Sequence, residues 1–187
     1  HTVHQVEPDG TITTAIDRSY LRRGHLNAVK MVPIISHLNS IGRRGAYAAY
    51  PELRGKGPRA TYKGIHEELI APCASSSRLH EIMAGWMLGY AEHESVRDIS
   101  CWLGELKQRC ECEQCATVGQ FALEARAFVK AWQIARKTTP DLRIRVLLTQ
   151  GSYATNDSVL AEIPPDVVVT YYDGGKTYDS SRDPMIY

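Results

Sequence analysis

Two stretches of the chain carry apolar residues at helical spacing. Behind Ser75-Ser76-Ser77, which offers an N-cap, come Leu79, Ile82, Met83, Trp86, Met87 and Tyr90, and the spacing predicts a helix over residues 77–94. Over residues 117–138, Phe121, Ala125, Phe128, Val129, Trp132 and Ala135 form a second stripe, with Glu124, Arg126, Lys130 and Lys137 outside it and Pro140 as its stop. Four short apolar, β-branched runs predict strands at residues 27–36, 98–103, 142–149 and 167–172. Pro33 lacks a ladder N–H and so keeps the first run out of mid-sheet, except near a strand's C-terminal end. A short helix over 157–163 is closed by Pro164-Pro165. Residues 1–20 are polar; Pro8-Asp9-Gly10 is a turn signal, and residues 11–16 read as a short strand or a linker.

The order is strand, loop and helix, strand, helix, strand, helix, strand, which is the pattern of βαβ units with parallel strands. Each strand hands over to polar residues: His37 and Asn39, Glu105, Gln150, and Asp173. In (β/α) barrels the chemistry sits at the C-terminal ends of the strands. The expected fold is therefore α/β, built of parallel (β/α) units and forming about half of a TIM-type (β/α)8 barrel. A whole barrel takes eight strands and typically about 250 residues. The 187 residues here read as one barrel-type domain, incomplete at both ends, and a half-barrel alone exposes strand edges. The rest of the barrel, or another chain, is thus expected to complete the sheet. Residues 41–76 are rich in Gly, Pro and Tyr and read either as an ordered loop lining a pocket with Tyr47, Tyr50 and Tyr62, or as an exposed insertion.

Composition narrows the classes. With 43% hydrophobic and 23% charged residues the chain matches ordinary globular proteins. A net charge of +1, with Lys and Arg spread along the chain, gives no footprint for nucleic acid or a membrane surface. No apolar run approaches the roughly 18 residues of a membrane span. The chain opens at His1 without a signal peptide, so a mature or trimmed form is expected and targeting signals do not give its compartment.

The chemistry concentrates between residues 99 and 115. Five cysteines, three of them at Cys110, Cys112 and Cys115, make a poor disulfide framework and a better metal-ligand set. A structural zinc ion wants four ligands. Cys73, Cys101, His80 or His93 are the candidates for the fourth, while a disulfide with a free thiol, or three reduced thiols, are the alternatives. Glu105 follows Trp102-Leu103-Gly104 at a strand end, where an apolar neighbour raises a carboxyl pKa toward what a general acid requires. The plainer reading is a Glu that pairs with Arg109 or Lys107. Asp173 is the candidate partner carboxylate for glycoside hydrolysis, or else a turn-forming Asp-Gly. Tyr172 and Trp102 offer faces to a sugar ring, and His37, Asn39 and Gln150 offer polar contacts, unless the polar residues merely form loops.

The run Trp102-Leu103-Gly104-Glu105, the Cys110-x-Cys112-x2-Cys115 cluster, Glu124-Ala125-Arg126-Ala127-Phe128-Val129, Pro140 and the strand over 143–149 together resemble a bacterial family of large, often exported proteins. These carry a glycoside-hydrolase-like domain of uncharacterised activity, itself similar to the family-20 glycoside hydrolases. The resemblance covers residues 95–175, and 21–94 more loosely through Tyr50-Pro51-Glu52-Leu53. It implies a TIM barrel, a carbohydrate substrate, Glu105 as the acid, and a periplasmic or extracellular location. In the β-hexosaminidase pattern an Asp directly precedes the catalytic Glu and orients a substrate acetamide; Gly104 stands there in this chain. The acid carries over, and the acetamide-assisted mechanism does not. The expectation is a glycosidase. Its rivals are a non-catalytic carbohydrate-binding or zinc-stabilised scaffold domain, and a thiol-metal protein whose cysteine cluster is the functional element.

Overall fold

The computed structural model of the chain describes residues 2–63, 68–105 and 108–172. Pro8-Asp9-Gly10 makes the expected turn: Gly10 takes φ +89° and Asp9 Oδ1 accepts the Thr11 N–H at 2.9 Å. That turn lets β1 (Thr2–Val6) pair antiparallel with β2 (Ile12–Ile16). Asp17 then caps α1 (Arg18–Leu26), accepting the Ser19 N–H at 2.8 Å. The apolar pattern does not predict this helix, because its nine residues are mostly polar and bury only Gly24. The first core strand is shorter than expected. Asn27 caps the helix, and β3 runs Ile34–Ser36, starting just after Pro33, whose missing N–H therefore costs no ladder bond.

Residues 38–70 are ordered where described. A 3-10 stretch (Leu38–Arg44) leads into α2 (Ala46–Ala49), two short 3-10 turns and the hairpin of β4 (Thr61–Lys63) and β5 (Glu68–Ile70). The remaining elements are α3 (Ser77–Ala91), β6 (Asp98–Trp102), α4 (Glu113–Val118), α5 (Gln120–Ala135), β7 (Arg143–Leu148), α6 (Asn156–Leu160) and β8 (Val168–Tyr171). The second expected helix is thus two helices, parted at Gly119, which takes φ +100°.

Strands β3, β6, β7 and β8 form a four-stranded parallel sheet in that order, each hydrogen-bonded to the next in the chain. The fold is mixed α/β, with this sheet flanked by helices. Strand alternation divides the sheet sharply. Ile35, Ile99, Cys101, Ile144, Val146 and Leu148 point to one side and are buried in a core with Met83, Trp86 and Tyr90 of α3 and Phe128 of α5. The other side carries Ser36, Ser100, Trp102, Arg145, Leu147, Val168 and Thr170; Arg145 and Val168 are exposed there. Parallel sheets are ordinarily covered on both faces. This one is open at its β7–β8 end. Among the described residues no helix is long and apolar enough to cross a membrane.

The one-sided core makes a simple prediction. Ile99→Ala is expected to cost about 2–5 kcal/mol in denaturant unfolding. Arg145→Ala, on the open face, is expected to stay within about 0.5 kcal/mol of the parent. Similar losses for the two would contradict the division of faces.

Candidate functional site

The end of β6 is held by a set of contacts centred on Gly104. The Leu103 N–H donates to the Leu147 carbonyl at 3.1 Å, continuing the ladder one residue past the strand. The Gly104 N–H then leaves the sheet and donates to Glu124 Oε2 at 3.0 Å, while Thr149 Oγ1 donates to the Gly104 carbonyl at 2.6 Å. A Cβ on Gly151 would lie 2.6 Å from the Glu105 carbonyl oxygen, so glycine is what lets the loop after β7 close against this peptide. A Cβ on Gly104 would begin 3.5 Å from Glu124 Oε2. A carboxylate at position 104 would therefore start close to the Glu124 carboxylate.

Glu124 is the residue that sequence reasoning misplaced. Its position beside the apolar stripe of α5 suggests solvent, yet it is 2% exposed. Gln120, one turn earlier, donates to its Oε1 at 2.9 Å. Burial pushes the Glu124 pKa up, against the hydrogen bonds from Gln120 and the Gly104 N–H, which favour the charged form. The only sequence signal was the i, i+4 spacing of Gln120 and Glu124.

Around this shelf the structure gathers four of the expected site residues. His37 follows β3 with φ +49°, a conformation uncommon outside glycine. Its N–H reaches the Trp102 carbonyl at 3.3 Å, its ring meets Trp102 edge-on at 5.7 Å, and its Nε2 lies 3.9 Å from Glu105 Oε1. Glu105 thus faces His37, not the Arg109 considered as its plain salt-bridge partner; Lys107 lies outside the described residues. Trp102 donates from Nε1 to Ser100 Oγ at 2.9 Å and stacks on Tyr172 at 6.3 Å, with 26° between the rings. Gln150 ends β7 with its Oε1 buried. Asn39 behaves differently: it is buried, and its Nδ2 donates to Gln108 Oε1 at 2.8 Å, while Gln108 Nε2 donates to the Leu69 carbonyl at 3.0 Å. It ties two loops together. Asp173 lies outside the described residues.

Among the described residues, four buried side-chain polar atoms have no hydrogen-bond partner: His37 Nδ1, Gln150 Oε1, His4 Nε2 and Arg44 Nη1. Such atoms are rare enough that each calls for a cause. Two belong to residues at the ends of β3 and β7. A cavity of about 600 Å³ between residues 108–111 and helices α4 and α5 is lined by none of the four.

The thiols form a second centre next to this one. The sulfurs of Cys73, Cys110, Cys112 and Cys115 all lie within 4.8 Å of one another, and those of Cys73 and Cys112 are 3.7 Å apart. A tetrahedral ion with metal–sulfur bonds of about 2.3 Å sets its sulfurs about 3.8 Å apart, so these four cysteines can hold a metal ion. Cys73 supplies the fourth donor. Cys101 is instead buried in the sheet core, where burial pushes its thiol up, and His80 and His93 are not in the set. All five cysteines are free thiols. Burial pushes the Cys110 thiol up, against the backbone N–H groups of Lys56 and Cys112, which point at its Sγ at 3.3 and 3.4 Å and favour the thiolate. Hydrogen bonds from Cys115, Ser75 and Cys112 draw the Cys73 thiol down, to about 4, against burial. Cys115, the proton donor in the first of these, is pushed up in turn.

The two centres are joined. The Cys110 N–H donates to Gln120 Oε1 at 3.1 Å, and the Gln120 amide donates to Glu124, which accepts from Gly104. A buried line of hydrogen bonds therefore runs from the thiol loop to the peptide before Glu105. Comparison of the chain with protein-family models, with curated proteins and with solved structures found no match.

Two predictions follow from this geometry. Elemental analysis of reduced protein should find that Cys73→Ser lowers bound metal sharply while Cys101→Ser leaves it unchanged; equal contents would refute a four-sulfur centre. The second concerns pH. Glu124 takes up a proton more readily folded than unfolded, where its value is the usual 4.5. Its stabilising contribution is thus complete below that value and is lost as pH rises through the raised folded value. Urea unfolding of the parent should show this loss, and Glu124→Gln should lack it.

Proposed function

We propose that the chain is a carbohydrate-active hydrolase built on (β/α)-barrel units, with Glu105 as its general acid and a structural zinc ion on the four cysteines. The observation that supports this most is the gathering of Glu105, His37 and the Trp102–Tyr172 stack at the C-terminal ends of β3, β6 and β8. Chemistry in (β/α) barrels collects at that end of the sheet. In this reading a sugar ring lies with its C–H face against the aromatic pair, and Glu105 hands its proton to the glycosidic oxygen as the bond to the anomeric carbon breaks. His37 Nδ1 and Gln150 Oε1, buried and unpartnered, suit sugar hydroxyls. The second carboxylate is assigned to Asp173, and its separation from Glu105 would decide between retention and inversion. The missing strands of the barrel would come from the rest of the barrel or from another chain.

Zinc suits four sulfur donors in one small tetrahedron, and four protein ligands leave no open position for substrate. Its role is then to fix the loop after β6, and through Gln120 and Glu124 the Gly104–Glu105 peptide. The same aromatic stack supports a second reading, a carbohydrate-binding domain without turnover, which needs no acid.

A panel of aryl glycosides and oligosaccharides separates them. Glu105→Gln should lower kcat by about 10²–10⁴-fold, and most for substrates with poor leaving groups. Unchanged turnover in that variant would remove Glu105 as the acid; binding without turnover in the parent would favour the binding domain.

A further inference from the structure

The two other unpartnered polar atoms, His4 Nε2 and Arg44 Nη1, do not belong to the acid site. Both residues line a separate cavity of about 370 Å³, together with Gln5, Ile34, Ser36 and Trp102. The cavity is built by packing β1 against the turn after Arg44. Gly45 there takes φ +83°, and a Cβ on it would stand 1.9 Å from the Val6 carbonyl oxygen, so only glycine lets the two segments touch. Trp86 Nε1 fixes β1 from behind, donating to the Gln5 carbonyl at 3.1 Å.

Arg44 sits over the Trp86 ring at 6.0 Å and extends Nη2 to Ser36 Oγ at 3.5 Å. Among the described residues no carboxylate pairs with it, and burial pushes its pKa down. Arg44 is half-buried, and a guanidinium nitrogen such as its Nη1, out of water with an unused N–H, is costly unless an acceptor joins it. His4 is 6% exposed, and its Nδ1 lies 2.7 Å from the Tyr90 hydroxyl. Burial drives its pKa to about 3, so the ring is neutral, while Tyr90, pushed up to about 12, keeps its proton. Thr2 also hydrogen-bonds the Tyr90 hydroxyl. In the tautomer that accepts the Tyr90 proton at Nδ1, Nε2 carries the hydrogen. The cavity therefore offers one fixed positive charge, a planar fork and a neutral N–H donor. A singly charged, planar carboxylate matches that set; a doubly charged phosphate would leave a charge over.

We propose that this cavity is an anion subsite for the carboxylate of an acidic sugar, with Arg44 as its fork and His4 Nε2 as its second donor. The sugar part rests on the carbohydrate reading above; the anion part stands on the cavity alone. Trp102 links the two, since its ring lines this cavity and also stacks on Tyr172 beside Glu105. A sugar ring held against Trp102 extends its carboxylate toward Arg44 while its glycosidic bond remains on the Glu105 side.

The test is a titration of the whole chain with sodium glucuronate, glucose and sodium acetate, read by calorimetry and by tryptophan fluorescence. Glucuronate is expected to bind about tenfold or more tightly than glucose, and Arg44→Gln to abolish that preference. Arg44→Lys keeps charge and length without the fork; it should bind more weakly than the parent, and it serves if Arg44→Gln does not fold. The subsite is overturned if the parent fails to bind glucuronate, or if a folded Arg44 variant binds it equally well. Acetate binding that needs Arg44, with glucuronate no tighter than acetate, supports the anion site and counts against the carbohydrate reading.

Discussion

The interaction on which the rest of the site depends is the hydrogen bond from the Gly104 N–H to the buried Glu124 carboxylate. A backbone N–H leaving the end of a parallel sheet needs a partner, and a carboxylate out of water needs donors. Each meets the other's need at 3.0 Å, and Thr149 and Gly151 close the remaining side of the same peptide. Glu105 therefore leaves the sheet from a backbone fixed on both sides of Gly104. Gln120 extends that constraint to Cys110, so the thiol loop and the strand end behave as one piece of structure.

Much of the architecture could be read from the sequence because it follows periodicity. The stripes of α3 and α5 and the apolar runs of β6, β7 and β8 appear close to their expected places, and the strands pair in parallel as the alternation implies. What was not legible has no periodic trace. The polar α1 is held by its Asp17 cap and ends in Asn27, the first residue of what reads as a strand, and of that run only Ile34–Ser36 pairs in the sheet. Gly119 breaks one apparent helix into two by backbone conformation alone. At the site, Cys110, Cys112 and Cys115 declare themselves by spacing, whereas Cys73 joins them only through the fold. Glu124 looks like solvent-facing charge until the strand end is seen to need an acceptor. Arg44 and His4 lie in the two stretches where the chain reads as loop, so nothing in the pattern links them.

The sheet is covered unevenly, and its two faces differ in character. Aliphatic residues on one face meet α3 and α5, and the opposite face carries Ser36, Ser100, Trp102 and Arg145. Among the described residues, the four buried polar atoms without partners belong to residues at the strand ends or in the cavity beside Trp102. Polar groups left unsatisfied on one side of a structure are where a ligand has most to offer. The aliphatic core and the polar residues Ser36, Ser100 and Arg145 thereby lie on different faces of the same strands.

The thiol centre has a further consequence, which lies in the unfolded chain. Cys73 precedes α3, and the other three ligands follow β6, so an ion held by all four closes a ring of backbone containing both elements. A cross-link of that kind restricts the denatured ensemble in the way a disulfide does, and by more as the enclosed segment lengthens. The free thiols here would give that restraint reversibly, set by metal supply and redox state. Helix α3 and the strand that presents Glu105 then gain or lose their topological tether together, without any change in the contacts of the hydrophobic core.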